Sequence, residues 1–264
     1  MEFLRVASGE AATSLAVLRG DEESLTPRAR ALMRLAVTLT AEPWALTADA
    51  VAEAARQGLD AGQVEAAVGV VSMFNYFTRV ADATGIEFDY ETPLPAFEPD
   101  RRQEPMAPRP DPAAPRPDPA TGPDPAGHGD DGARRPRHQP LQAAWASWRA
   151  YVLETDDAQG PLTRRERRLL AAVAAEQTGD WAGAEALGGA AGGTAGGDEP
   201  LAGFARKLSR EPWRMEPADL EKLRAAGYQE TAVLHAISVV AHQNAHSRLV
   251  IGLQAADRVT RPDA

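Results

Sequence analysis

Residues 32–85 and 201–254 align without a gap at a constant offset of 169. Any fold for this chain must therefore hold one supersecondary unit twice. Thirteen of the fifty-four positions are identical, and they are clustered. Glu42-Pro43-Trp44 meets Glu211-Pro212-Trp213, and Gly58 meets Gly227. Val64, Val71, Asn75 and Arg79 meet Val233, Val240, Asn244 and Arg248. These are a turn, a helix stop and one helix face. Upstream the register changes: Thr26 matches Thr163 at an offset of 137, so the first copy is 32 residues shorter than the second.

The signals inside each copy are helical. Thr26 is a hydroxyl N-cap followed by Pro27 at the first helical position. It predicts a helix to about Thr40, with Leu32, Leu35, Ala36 and Leu39 on one face. Thr47 caps a short helix that Gly58 stops. Asp60 with Gln63 forms a capping box and opens a long helix to about Thr84. The second half repeats the plan: Thr163 pairs with Glu166, Pro217 and Gly227 bound a short helix, and a last helix runs from Glu230 to about Ala255. LQAAWASWRAYVLE adds an amphipathic helix carrying Trp145 and Trp148. No alternating strand pattern is present, so the expected fold is all-α.

Residues 93–139 are rich in Pro, Asp and Gly and repeat PRPDPA. Such a stretch cannot bury enough apolar surface to offset the entropy of ordering, so it reads as a disordered, extended linker. It separates two helical units, 1–92 and 140–264. Gly183 to Gly197 reads as a second flexible piece. Arg134, Arg135 and Arg137 end the linker as a small solvated basic patch.

The net charge of −10 argues against nucleic acid as a partner. The absence of cysteine excludes disulfides, thiolate–metal sites and cysteine nucleophiles. No apolar run approaches the ~18 residues of a membrane span. The opening MEFLRVASGEAA lacks the apolar core of a secretory signal, and a cytoplasmic location is the expectation.

The repeated pattern resembles the alkylhydroperoxidase D and carboxymuconolactone decarboxylase superfamily, in particular its peroxidase-related branch. The residues that carry the resemblance are LTAEPWALTADAVAEAARQGLDAGQVEAAVGVVSMFNYFTRVADATG and LSREPWRMEPADLEKLRAAGYQETAVLHAISVVAHQNAHSRLVIGLQ. Leu-Thr-x-x-Glu-Arg at 162–167 is similar to the start of the family's preceding helix. The resemblance implies two tandem units packed as a pseudo-dimer. It also implies a homo-oligomer, with a small organic ligand or a related active subunit as further partners. The family's redox centre, Glu-x2-Cys-x2-Cys-x3-His, falls here on Glu176, Gly179, Ala182 and Ala186. Peroxide reduction needs one thiolate to attack and a second thiol to resolve. Glycine and alanine supply neither, and the first half lacks the segment altogether. Thiol peroxidase activity is expected to be absent. The expected role is a redox-dead binding or scaffold protein. The alternative is a cysteine-independent lyase, isomerase or metal-dependent oxidoreductase.

Three groups of side chains compete for a role. Asn75/Arg79 and Asn244/Arg248 are i,i+4 pairs, each on one helix face. They suit either anion binding or the fixing of helix ends and acidic groups across the bundle. His235, His242 and His246 lie within roughly 20° of one line at 100° per residue. Their counterparts, Ala66, Met73 and Phe77, are apolar. His242 and His246, with His235 on the same line, could ligate one metal, with Glu176 as a candidate carboxylate, although no cofactor is required. Without a metal, His242, His246, Arg248 and Glu176 remain candidate acid–base groups. The competing reading is a polar seam. Trp44 and Trp213, each after its Glu-Pro, read as core anchors.

Overall fold

The computed structural model describes residues 16–17, 20–86, 139–158, 160–188 and 199–260. The expected linker lies outside them apart from Gln139, as do residues 189–197 of the glycine-rich piece. Among the described residues the regular structure is helical and contains no strand.

The helices described from Pro27 onward in the first half are α1 (Pro27–Ala41), α2 (Ala48–Arg56) and α3 (Ala61–Thr84). The second consists of α4 (Gln139–Leu153), α5 (Arg164–Gln177), α6 (Trp181–Ala186), α7 (Glu199–Arg210), α8 (Pro217–Ala225) and α9 (Glu230–Thr260). A 3₁₀ turn follows α1 at Pro43–Ala45 and α7 at Pro212–Arg214. The boundaries obey the sequence offset. Ala41, the 3₁₀ turn, all of α2 and the start of α3 sit 169 positions before Arg210, the second turn, all of α8 and the start of α9. Backbone angles repeat as well. Glu42 has φ −135° and ψ 60°, and Glu211 has φ −133° and ψ 52°. Gly58 and Gly227 close their helices at φ 85° and 97°, where a side chain would be strained.

The second offset is equally visible. Thr26 accepts from the Ala29 amide and Thr163 from the Glu166 amide, 137 positions apart. Arg30 donates to the Leu25 carbonyl, and Arg167 donates to the Leu162 carbonyl. Helix α1 therefore starts as α5 starts and ends as α7 ends. One helix in the first half takes the place of α5, α6 and α7.

Each half completes the other's core. One apolar cluster gathers α5, α7 and the first part of α9 and includes Ala83 from α3. The other gathers α1, α2 and the first part of α3 and includes Leu249, Ile251, Leu253, Ala255 and Ala256 from α9. Helix α9 runs past the expected end at Ala255 to Thr260. The two long helices approach closely where a Cβ on Gly252 would stand 2.5 Å from Val68 Cγ1.

The glycine-rich piece is shorter than the sequence suggests. Residues 183–186 are helical in α6. Asp180 caps that helix by accepting from the Gly183 amide at 2.9 Å, and Arg168 donates to the Ala186 and Leu187 carbonyls at its other end. Caps at both ends and burial of Ala184 outweigh one glycine's cost of about 1 kcal/mol.

Candidate functional site

The Asn/Arg pairs form one network in two copies. Asn75 Nδ2 donates to the Val71 carbonyl and Thr40 Oγ1 at 2.9 and 3.1 Å. Asn244 Nδ2 donates to the Val240 carbonyl and Ser209 Oγ at 2.9 and 2.8 Å. Each asparagine Oδ1 then accepts from its own arginine, at 2.8 Å for Arg79 and 2.9 Å for Arg248. The remaining bonds cross between the halves. Arg79 Nη2 donates to the Ser209 carbonyl at 2.9 Å, and Arg248 Nη2 donates to the Thr40 carbonyl at 2.8 Å. Thr40 and Ser209 occupy equivalent places in the last turns of α1 and α7. Both arginines are buried, and burial opposes their charge. Helix C-terminal carbonyls carry partial negative charge, so they offset part of that cost. The acceptors are amide and carbonyl oxygens rather than the acidic groups expected from sequence. These bonds join the last turns of α1 and α7 to the long helices of the opposite halves.

The histidine stripe packs against α4. His242 is fully buried, and neither ring nitrogen has a hydrogen-bond partner in the protein. Its ring sits edge-on to Trp148 with centroids 4.6 Å apart, and 5.8 Å from the centroid of Trp145. Burial, then His246 and Arg149, holds its pKa well below the usual histidine value. His246 accepts from Trp145 Nε1–H through Nδ1 at 3.0 Å, which occupies that lone pair. The two imidazoles are nearly parallel, at 7° with centroids 6.1 Å apart. Tyr76 of α3 completes the aromatic group against Trp148, at 4.7 Å. His235 belongs elsewhere on the stripe: its Nε2 lies 3.3 Å from the Val152 carbonyl, and burial lowers its pKa. Among the described residues no three His, Asp or Glu side chains converge as a ligand set. Glu176 therefore does not join His242 and His246 as the carboxylate that the sequence suggested.

The degenerate redox positions surround the α5–α6 turn. Gly179 adopts φ 76°, and a Cβ there would stand 2.7 Å from Trp44 Cβ. Ala182 and Ala186 lie on α6. Trp44, half-buried, therefore lies close against Gly179 of the opposite half. Beside the turn runs a buried polar chain that the sequence did not reveal. Gln243 Nε2 donates to Ser247 Oγ at 3.0 Å, and Ser247 donates to Asp180 Oδ2 at 2.7 Å. Ser247 and Asp180 are 67 residues apart, with no motif to link them. The one available signal is that Ser247 and Gln243 replace Thr78 and Phe74 of the first copy, two i,i+4 polar side chains on a long buried helix.

The candidate residues therefore separate into three places. Asn75, Arg79, Asn244 and Arg248 lie at the junction between the halves, His242 and His246 lie under α4, and Gly179 lies under Trp44. A shallow apolar cleft lined by Val51, Ala55, Leu59, Val64 and Ala256 includes none of them. No helix is long and apolar enough to cross a membrane among the described residues. Comparison with protein-family models, with curated proteins and with solved structures finds no match to the chain.

Proposed function

We propose that this chain is a redox-dead binding or scaffold protein built on two fused alkylhydroperoxidase D-like helical units, paired as a pseudo-dimer. The observation that carries the reading is the contact of Trp44 with Gly179. A cysteine at 179 would need a left-handed backbone and a Cβ inside the space of Trp44. The position that the resemblance assigns to a redox thiol is thus closed by the other half as well as empty of sulfur. The crossed bonds of Arg79 and Arg248 support the pseudo-dimer, since each half supplies the equivalent donor to the equivalent carbonyl of the other. A small organic ligand or a related active subunit is the partner that this role implies.

Two assays test the reading. The purified chain is incubated with an organic hydroperoxide and a dithiol reductant, and consumption is expected to stay at the buffer rate. Turnover above that rate overturns the reading. Native mass spectrometry is expected to give a whole multiple of the chain mass with no retained metal. A second reading, a cysteine-independent enzyme, draws on His242, whose two ring nitrogens are buried without a protein partner. A stoichiometric metal lost in His242→Ala and in His246→Ala would establish that reading instead.

A further inference from the structure

We propose that the outward face of α3 is a two-fold contact between copies of this chain. Val70, Phe74 and Phe77 stand 56%, 60% and 55% exposed, at the i, i+4, i+7 spacing of one helical stripe. Large exposed apolar patches mark contact surfaces. The repeat supplies the comparison that makes this stripe informative. Its counterparts on α9 are Val239, Gln243 and His246, and the first two are 0% and 1% exposed. In the second half that face carries α4 through Trp145 and His246, and the turn before α6 through Asp180 and Ser247. Among the described residues the first half has α1 where the second has α5, α6 and α7, and this face of α3 stays exposed.

Charge and symmetry identify the occupant. The chain has a net charge of −10, so two copies repel wherever acidic surfaces meet. Between Glu65 and Asp82, helix α3 carries one charged residue, Arg79, and that side chain is buried. The stripe therefore offers an acidic chain a contact that opposes no like charges. It offers nothing to a nucleic acid, an anionic headgroup or a charged peptide. The stripe is also symmetric about its own middle. An antiparallel pairing of two α3 helices sets Val70 against Phe77 of the second copy and Phe74 against its equivalent near the axis. A self-complementary patch is what a two-fold interface requires. The contact goes beyond the scaffold reading and stands or fails apart from it.

The absence of cysteine makes the test clean. Light scattering after size exclusion is expected to give twice the 28.1 kDa chain mass at tens of micromolar. Phe74→Glu is expected to weaken association about 30-fold or more with the helical signal and melting point retained, because the side chain is exposed. Phe74→Cys is expected to oxidise to a covalent dimer, whereas Asp49→Cys, exposed on α2, stays monomeric under the same treatment. A monomeric wild type overturns the proposal. An oligomer unchanged by Phe74→Glu overturns it too, as does equal cross-linking at positions 74 and 49.

Discussion

Arg79 and Arg248 each give one face of the guanidinium to an asparagine on their own helix and an Nη2 to a carbonyl of the other half. Removing either leaves a buried asparagine oxygen and a helix-end carbonyl unsatisfied, at about 1–3 kcal/mol per group. Arg79→Leu and Arg248→Leu are therefore each expected to cost about 3 kcal/mol in urea unfolding. Because the two networks are equivalent, the costs should agree within about 1 kcal/mol; a gap of several kcal/mol would deny the equivalence. His242 gives a pH signature. Its folded pKa is depressed, so the unfolded chain binds the proton first. Stability is then full above the unfolded value of about 6.5 and falls as pH drops below it. His242→Phe should flatten that fall between about pH 6.5 and 5, measured as the melting point against pH. The i,i+4 spacing made each Asn/Arg pair legible from sequence. The acceptor was not legible, because a carbonyl has no residue type and the one used lies in the other half. The histidine stripe was likewise legible as a line, but nothing in sequence told that Trp145 would occupy the Nδ1 of His246.

Helix ends were the most legible elements, because their signals are local. Thr26, Thr47, Asp60 and Thr163 all cap as their spacing predicts. Helix α6 was not legible, since the glycine-rich run that starts at Gly183 reads as flexible and the helix depends on Asp180 and Arg168. The crossing of α3 and α9 at Gly252 was hidden for a different reason: close approach of two backbones leaves only an isolated glycine in the sequence. It has a measurable consequence. Gly252→Val puts carbon where Val68 already is and is expected to cost about 1–3 kcal/mol through overpacking. Val68→Ala should recover part of that cost, giving a coupling energy of about 1 kcal/mol in a double-mutant cycle. Strict additivity would mean that the two residues do not meet. Gly179→Ala tests the other close approach. Strain at φ 76° and contact with Trp44 predict a loss of about 1–3 kcal/mol, read from the urea midpoint.

At the scale of the whole molecule, the repeat gave the plan, and the 32-residue difference gave the asymmetry. What it did not give was the interleaving of the two cores, with Ala83 in one and Leu249 to Ala256 in the other. If the halves hold one another through these contacts, a chain cut between 92 and 139 should remain a single particle. A specific protease site placed at residues 108–115 tests this. The fragments are expected to co-elute and to melt in one transition, and separate elution of folded fragments would sink the pseudo-dimer. The crossed arginines also set a schedule for synthesis. The Ser209 carbonyl lies 130 residues after Arg79, and Arg248 lies 208 residues after the Thr40 carbonyl. At about 5–20 residues per second, a ribosome needs on the order of ten seconds to pass from one end of such a bond to the other. Throughout that interval the emerging first half holds a buried-type arginine without its acceptor and an apolar helix without α9. A nascent chain of this design has a reason to meet chaperones before its own second half.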